Sequence, residues 1–366
     1  MSADLTPGGL IPGELSLGQR LARQIEAGGP ISIAHYMAEA NAHYYTGRDP
    51  LGVEGDFITA PEISQMFGEL VGLCLADVWM RSGRRSETLY LELGPGRGTL
   101  AADALRAMES VALAPRVHLV ETSPMLRGRQ QALLPHAAFH DSLDTVPARG
   151  PLLVVANEFF DALPVRQIVR TANGWRERVV VAGEGEPGEA FVPMPGYRVM
   201  DAAVPAMLKD APEGAILETA PAAATVALEL SNRIARQGGV AIIIDYGYAG
   251  PAIGDTLQAV RGHAMSDPFS HVGDSDLTTH VDFGTLGNMA RQAGLRVLGP
   301  VGQGDFLTAL GIDARAAMLA KTSAARAAEV ETARVRLTGA EAMGELFRVM
   351  AFVHPDWATP EGFGAV

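Results

Sequence analysis

The chain has 366 residues, a hydrophobic content of 48%, one cysteine and a formal net charge of −13. This length and this hydrophobic content are typical of a folded chain with a large core and exclude a disordered one. The acidic balance argues against DNA or RNA as a partner, and a single cysteine excludes a disulfide within the chain.

The N-terminal segment has no targeting pattern. Asp4 and Glu14 precede the first arginine, Arg20, so the sequence has neither a basic region before an apolar core nor an Arg-rich, acid-poor segment. A run of about 18 apolar residues is also missing from the whole sequence, which predicts no membrane insertion. These features predict a cytoplasmic protein of the bacterial type.

Residues 1–85 are predicted to form an N-terminal helical region that carries a lid. The Gly- and Asp-rich loop 45–58 separates two helical patterns, and Asp56 and Phe57 in this loop are candidate site residues. The segment Thr59-Ala60-Pro61-Glu62 stands ahead of an apolar helical face and has the sequence of a capping box. It therefore predicts that the next helix begins after Thr59.

A glycine motif follows the predicted strand 89–93, where three glycines stand at alternate positions before a helix. A strand, a glycine turn and a helix form a nucleotide-sized notch, because glycine lets the backbone approach a ligand closely. Dinucleotide enzymes use G-x-G-x-x-G, whereas here Thr99 stands at the last of those positions. A carboxylate at Glu92 would repel a pyrophosphate and suits a cation, which favours S-adenosylmethionine. The predicted cofactor contacts of this motif are Glu92, Gly94, Pro95, Gly96 and Gly98.

Two further acidic positions follow the next two predicted strands. Glu121 ends the second strand and precedes Ser123-Pro124, a typical helix start. Its carboxylate could accept hydrogen bonds from both ribose hydroxyls, each contributing about 1.5–3 kcal/mol. Asp141 and Ser142 after the third strand suit an adenine amino group and a ring nitrogen. The alternatives are a solvated acid at Glu121 and a plain turn at Asp141.

Strands alternate with helices through the centre of the chain, which predicts an α/β fold with a parallel sheet and helices on both faces. This core spans residues 86–310, with insertions at about 165–215 and 250–282. Segments 295–301 and 306–310 are predicted to form a closing antiparallel pair, and 311–366 a C-terminal helical segment. The predicted strands are 88–93, 116–121, 137–140, 152–156 and 239–245, and the predicted helices are 99–109, 124–133, 220–237 and 283–293.

A cluster of polar and aromatic residues follows strand 152–156 directly. The carboxyl ends of parallel strands face the ligand crevice, so a methyl acceptor would meet the cofactor here. Glu158 and Asp161 are candidate catalytic carboxylates, and Asn157 is predicted to contact the cofactor. Phe159 and Phe160 could exclude water or stack on a planar cation. The alternatives are that Asp161 caps a turn and that both phenylalanines belong to the core.

A long loop follows the strand that ends at Asp245. Long loops in compact domains are often functional, so Tyr246, His263 and His280 are predicted to line the substrate site. For each histidine, a structural or solvated role is the alternative. The histidines match no metal-site spacing, and no metal is predicted.

Several segments together resemble the MidA-type class I S-adenosylmethionine-dependent methyltransferases, a family that includes the mitochondrial complex I assembly factor. The glycine motif fits many methyltransferases. Two segments are far more specific to this family: residues 55–69, which contain the capping-box sequence, and residues 157–164, Asn-Glu-Phe-Phe-Asp-Ala-Leu-Pro. The resemblance spans residues 30 to about 310. The matching segments are 49–52, 55–69, 92–100, 157–164 and 245–248.

The resemblance implies a Rossmann-like core of about seven, mostly parallel strands and an S-adenosylmethionine-dependent methyltransferase activity. It further implies a protein substrate and symmetric dimethylation of an arginine on a respiratory complex I subunit. Arginine has no free lone pair at neutral pH, so a carboxylate pair would hold the guanidinium and bias its charge. We expect Glu158 in this role, with Asp161 or Asp56 as its partner.

Three other functions stay open at this point. The protein could be an assembly chaperone that holds S-adenosylmethionine without turnover, and the intact Glu158 and Asp161 count mildly against this. It could be a methyltransferase with a small-molecule acceptor, which nothing in the sequence opposes. It could also be a nicotinamide-dependent oxidoreductase, although the glycine spacing and Glu92 speak against it.

Overall fold

The computed structural model describes residues 15–47, 59–262, 264–322 and 324–364. The chain divides into two compact units. The first comprises Met1–Phe57, Ala162–Ala223 and Pro251–His280, and the second comprises Ile58–Asp161, Ala224–Gly250 and Val281–Val366. The segment 1–85, predicted as one N-terminal region, is thus shared between the two units.

The elements alternate as the sequence predicts through the centre of the chain. The helices are α1 (Leu17–Gly28), α2 (Ile33–Gly47), α3 (Ala60–Ile63), α4 (Gln65–Arg81), α5 (Thr99–Glu109), α6 (Pro124–Leu133), α7 (Pro221–Gln237), α8 (Phe283–Gln292), α9 (Gln303–Ala309), α10 (Ile312–Leu319) and α11 (Ala324–Thr338). The strands are β1 (Ile31–Ser32), β2 (Leu89–Leu93), β3 (Arg116–Val120), β4 (Ala138–His140), β5 (Leu152–Asn157), β6 (Arg166–Thr171), β7 (Gly174–Ala182), β8 (Phe191–Val199), β9 (Ile216–Thr219), β10 (Gly239–Tyr248), β11 (Gln258–Arg261), β12 (Ala264–Ser266), β13 (Asp276–Thr278), β14 (Val281–Asp282), β15 (Arg296–Gly302) and β16 (Phe347–Val353).

The second unit is built on a sheet with the order β15-β16-β10-β5-β2-β3-β4, and β14 also pairs with β10. Strands β10, β5, β2, β3 and β4 are parallel, whereas β16 is antiparallel to both of its neighbours. All six residues of β5 are buried, as expected for a parallel strand whose two faces are covered by helices. The Rossmann-like α/β fold is therefore confirmed, and its parallel strands end at one edge of the sheet.

Two predictions near the C-terminus are wrong. Residues 306–310 lie mainly in α9 and not in a strand, and the antiparallel partner of β15 is β16, inside the segment predicted to be helical. Short apolar runs fit a buried strand and a buried helix equally well, so periodicity alone cannot separate them. Residues 347–353 form a strand because they pair with β10 on one side and with β15 on the other.

The predicted helix start after Thr59 is confirmed, but the predicted capping box is not formed. Helix α3 is a single turn, and within the described residues the side chain of Thr59 makes no capping hydrogen bond. The long helix α4 begins after Ser64, whose Oγ accepts a hydrogen bond of 3.2 Å from the N–H of Met66. The chain therefore changes direction between Ile63 and Gln65, and Glu62 is available for contacts elsewhere in the second unit.

The first unit holds the inserted strands. Its main sheet has the order β1-β7-β6-β9, and β8 also pairs with β7, along residues 176–182. A smaller sheet has the order β12-β11-β13. Helices α1 and α2 contribute to the core of this unit, in which Tyr36 contacts the rings of Phe191 and Phe269. Across the described parts of both units, no helix is long and apolar enough to cross a membrane.

Candidate active site

Three glycines shape the turn between β2 and α5. Gly94, Gly96 and Gly98 have φ angles of 60°, 54° and 84°, in the left-handed region that residues with a Cβ rarely adopt. A Cβ atom at Gly94 would lie 2.9 Å from the ring of Phe159, so a side chain is also excluded by space. The N–H of Gly98 closes the turn with a hydrogen bond of 2.8 Å to the carbonyl of Pro95. The predicted glycine positions therefore form a backbone-lined notch at a strand end.

Glu92 lies in β2 just before this turn and is buried. Its Oε2 accepts a hydrogen bond of 2.5 Å from the hydroxyl of Tyr90, which lies two residues earlier on the same face of the strand. Burial raises the pKa of Glu92 to about 8, although the hydrogen bond from Tyr90 acts in the opposite direction. The carboxyl is therefore mostly protonated at neutral pH, and a cation beside it would favour its ionised form.

Glu121 directly follows β3 and is held by two donors. Its Oε1 accepts a hydrogen bond of 2.8 Å from the N–H of Ser123, and its Oε2 accepts one of 3.2 Å from Gln130. The same amide of Gln130 donates to the carbonyl of Gly96 at 2.6 Å, which joins Glu121 to the glycine turn. Burial raises the pKa of Glu121, while the N–H of Ser123 and the amide of Gln130 lower it. Ser123 also caps α6, as predicted.

Asp141 and Ser142 follow β4 in a different environment. The side chain of Asp141 is 82% exposed and forms an ion pair of 2.6 Å with Arg127. The hydroxyl of Ser142 donates a hydrogen bond to Asp144 in the same turn. Both residues thus lie at the sheet edge, as expected, but their side chains are engaged in local contacts. Their role as adenine contacts stays a prediction.

Glu158 stands directly after β5 with its backbone in the left-handed region, at a φ of 49°. Its N–H donates to the carbonyl of Ile244 at 2.9 Å. Its Oε1 accepts hydrogen bonds of 3.2 Å from the amide of Asn157 and 3.3 Å from the N–H of Ala60. A left-handed residue with a side chain costs about 1–3 kcal/mol and is typical of functional sites, where surrounding contacts enforce it. The carboxylate is therefore fixed and not free to rotate.

Asp245 in β10 enforces the conformation of the segment after Glu158. It is fully buried, and its Oδ2 accepts hydrogen bonds of 3.0 Å from the N–H of Phe160 and 3.2 Å from the N–H of Asp161. Its Oδ1 accepts one of 3.0 Å from the N–H of Tyr246. Burial raises the pKa of Asp245 well above its usual range, and the carboxylates of Asp161 and Glu158 add to this. Three acidic side chains therefore converge at the ends of β5 and β10.

The predicted aromatic residues of the second unit differ in exposure. Phe160 is buried, and its ring meets that of Phe159 edge to face at 5.2 Å. Phe159 is partly buried and lies against Gly94, so it is the phenylalanine that borders the glycine turn. Tyr246 is partly buried and packs edge to face on Phe347 at 5.5 Å.

The other predicted site residues fall elsewhere. Asp56, Phe57 and His263 lie outside the described residues. His280 belongs to the first unit, where its N–H donates to Oγ1 of Thr256 at 2.9 Å and burial lowers the pKa of its ring. Among the residues that the structure describes, no group of three or more His, Cys, Asp and Glu side chains could hold a metal ion.

Three residues near the strand ends are missing from the sequence-based site. Asp245 could have been found, because the predicted strand 239–245 ends at it, although β10 continues to Tyr248. Gln130 gives no signal, since a glutamine in an amphipathic helix is an ordinary surface residue by pattern. The sequence pattern places Glu62 in a capping box, whereas in the structure its carboxylate accepts a hydrogen bond of 2.5 Å from the hydroxyl of Thr99.

The chain as a whole matches a known family of enzymes. A family model for S-adenosyl-L-methionine-dependent methyltransferases covers residues 70–301. The chain belongs to this family. S-adenosylmethionine is therefore its cofactor, and the nicotinamide-dependent alternative is excluded.

Curated relatives and a solved structure agree with this assignment. The protein is 36% identical to Protein arginine methyltransferase NDUFAF7, mitochondrial, of Danio rerio. The alignment spans 372 residues and covers 93% of this chain and 87% of the relative. The Homo sapiens protein of that name is 35% identical, with 82% and 74% covered. A crystal structure of a Burkholderia thailandensis protein bound to S-adenosyl-homocysteine has a TM-score of 0.82 and 30% identity, and covers 95% of this chain and 94% of that chain.

The relatives correct the predicted location. Their names place them in mitochondria, so the prediction of a cytoplasmic protein is wrong. That prediction used the lack of a targeting pattern in the N-terminal residues, and such a lack does not determine a location.

The residues at the strand ends fit the cofactor. The glycine turn presents bare backbone at Gly94, where the ring of Phe159 leaves no room for a Cβ. Two buried acceptor atoms, Oδ1 of Asn157 and Oε1 of Gln130, have no hydrogen-bond partner among the described residues. Buried polar atoms are nearly always hydrogen-bonded in native proteins, so both are suited to polar groups of a ligand. Glu121 adds a carboxylate that the side-chain amide of Gln130 holds in place.

Proposed function

We propose that this methyltransferase acts on the guanidinium group of an arginine in a protein, with Glu158 as the residue that binds the guanidinium. The single observation that carries the proposal is the fixed carboxylate of Glu158, held by Asn157 and Ala60 at the end of β5. The names of the relatives support arginine as the acceptor.

The proposed cofactor contacts are the backbone of the glycine turn, Glu92, Glu121 and Asn157. Glu121 accepts hydrogen bonds from the ribose hydroxyls, because its two oxygens are already oriented by Ser123 and Gln130. Glu92 provides a carboxylate that ionises beside a cation. When bound, S-adenosylmethionine supplies a methyl group on a sulfonium centre, which a nucleophilic nitrogen can displace.

The proposed role of Glu158 follows from the chemistry of arginine. The guanidinium keeps its charge at neutral pH, and its nitrogens are poor nucleophiles while that charge is evenly shared. A carboxylate that binds two N–H groups draws the positive charge towards them and leaves the remaining nitrogen more nucleophilic. Asp161 is the proposed partner carboxylate. Either acid can take up the proton that the nitrogen loses when its new bond to the methyl carbon forms.

Phe159 has a proposed role in excluding water from this position. It borders both the glycine turn and Glu158, so the carboxylate works in a partly apolar environment where its interaction with a cation is stronger. Positioning of the two reacting groups then supplies most of the rate enhancement.

A finer proposal rests on the resemblance to the mitochondrial assembly factor. The protein substrate would be a subunit of respiratory complex I, and the product would be symmetric dimethylarginine. The test uses complex I purified from cells that lack the protein, incubated with the purified protein and S-adenosylmethionine carrying a labelled methyl group. We expect the label in dimethylarginine of one subunit, as measured by mass spectrometry. Label in lysine, or no protein label at all, would contradict arginine methylation.

A further inference from the structure

The one-turn helix α3 has a contact at each end with a different part of the candidate site. At its C-terminal end, Oε1 of Glu62 accepts a hydrogen bond of 2.5 Å from the hydroxyl of Thr99, and Oε2 lies 3.4 Å from Nη1 of Arg97. Both partners belong to the glycine turn or to the first residue of α5. The side chain of Glu62 is 17% exposed, so solvent screens these contacts only in part.

At the N-terminal end of α3, the N–H of Ala60 donates to Oε1 of Glu158 at 3.3 Å. Asn157 donates to the same oxygen at 3.2 Å, so the rotamer of Glu158 depends on two donors. One donor is the last residue of β5, directly before Glu158, and the other belongs to α3. Any shift of α3 along its axis would change the distance between Ala60 and the carboxylate.

Helix α4, which follows α3 in the chain, packs closely on α5. A Cβ atom at Gly68 of α4 would lie 2.7 Å from Cβ of Asp103, and one at Gly72 would lie 2.5 Å from the carbonyl oxygen of Ala104. Helix α4 therefore packs on α5 through its backbone, and α3 precedes α4 with only Ser64 between them. The glycine turn, α5 and α3 are thus held as one assembly of the second unit.

We infer that Glu62 is a positioning residue that fixes Glu158 relative to the glycine turn by holding α3. The inference rests on the proposed function, since it assigns Glu62 an effect through Glu158. Glu62 itself touches neither reacting group. The cofactor turn and the carboxylate that binds the substrate are then aligned by a path of three contacts: Thr99 to Glu62, Glu62 to Ala60 within α3, and Ala60 to Glu158.

The test is a double-mutant cycle between Glu62 and Glu158, measured in the full chain. Glu62→Ala is made alone and in the Glu158→Gln background, and kcat is measured with an arginine-containing peptide and a sensitive methyl label. Residues that act through one another give non-additive effects. We expect Glu62→Ala to lower kcat about tenfold alone and less than about twofold beside Glu158→Gln. Equal reductions in both backgrounds would overturn the inference.

A second pair of variants distinguishes the loss of this hydrogen bond from a general loss of structure. Thr99→Val removes the hydroxyl donor with little change in volume, and Thr99→Ser keeps the hydroxyl. We expect kcat to fall in Thr99→Val and to recover in Thr99→Ser, with the affinity for S-adenosylmethionine changing less than about threefold in either. A loss of cofactor affinity as large as the loss in kcat would overturn the inference, because Glu62 would then merely support the turn. Glu109→Ala, an exposed position on α5, is the matched control for Glu62→Ala.

The same data separate the inference from the proposed function. If Glu158→Gln alone leaves kcat unchanged, the proposed function fails and the inference fails with it. If Glu158→Gln lowers kcat while the effect of Glu62→Ala adds to it independently, the proposed function survives and the inference fails.

Discussion

The acids at the ends of β2 and β3 and the acid at the end of β4 occupy comparable positions but different environments. Glu92 and Glu121 are 2% and 9% exposed, and each is hydrogen-bonded to a buried or partly buried donor. The side chain of Asp141 is 82% exposed and pairs with Arg127 across the surface. Position at a strand end therefore does not by itself organise a carboxylate. Burial and fixed hydrogen-bond donors do.

The largest effect is expected at Glu158, the acid with the most constrained backbone. Glu158→Gln removes the charge but keeps the size, and we expect kcat for arginine methylation to fall about 100-fold, as for other fixed groups that act on developing charge. The affinity for S-adenosylmethionine, measured by calorimetry, should stay within about threefold. Glu109→Gln provides the control. A rate within twofold of the wild type would show that Glu158 does not bind the guanidinium.

A smaller effect is expected at Asp245, which acts only through the segment after Glu158. Asp245→Asn places an amide among three N–H donors, so at least one of them loses its acceptor. We expect the free energy of unfolding in urea to fall by about 1–3 kcal/mol and kcat to fall about tenfold. Asp210→Asn, at an exposed position, should change neither quantity. Unchanged kcat in a destabilised Asp245→Asn protein would show that the acceptor matters for folding alone.

The buried acid Glu92 predicts a pH dependence of cofactor binding. Its pKa of about 8 means that the free protein carries a protonated carboxyl at neutral pH, whereas a bound cation favours ionisation. Binding then releases a proton, so affinity for S-adenosylmethionine should rise about fivefold from about pH 6.5 to 7.5. Calorimetry in two buffers of different ionisation enthalpy would detect the released proton. Glu92→Gln should bind with a flat pH profile, and an identical slope in both proteins would contradict this origin.

The smallest effect is expected at the exposed acid. Asp141→Ala removes a surface ion pair, which contributes about 0–1 kcal/mol to stability in most proteins. We expect the dissociation constant of S-adenosylmethionine to change less than about threefold by calorimetry, because the side chain is not held in place. Replacing the buried Glu121 with alanine should weaken cofactor binding strongly. If Asp141→Ala weakened it as much, an exposed strand-end acid would contribute as much to cofactor affinity as a buried one.

The sequence predicts those features of the fold and the site that depend on residues close together in the chain. The glycine turn, the helix start at Ser123 and the acids at strand ends follow from residue types and spacing within a few positions. The predicted order of strands and helices through residues 88–245 is confirmed for the same reason. Helix α9 and strand β16 were mispredicted because short apolar runs carry no unambiguous period.

The contacts that fix the site depend on residues far apart in the chain. Glu62 and Thr99 are 37 positions apart, and Asp245 is 85 positions from Phe160. A single sequence contains no signal for such pairs, since each residue has a plausible local role as a cap or a strand residue. In the case of Glu62, the local pattern was a capping box that the chain does not use.

The most direct test of the strand-end site is a calorimetric titration with S-adenosylmethionine of the wild-type protein and of Glu121→Ala. Loss of two charge-assisted hydrogen bonds to the ribose should weaken binding at least tenfold, or about 1.4 kcal/mol. We expect micromolar binding by the wild type and a dissociation constant at least tenfold higher in the variant. Equal affinity of the two proteins would contradict a cofactor site at the end of β3.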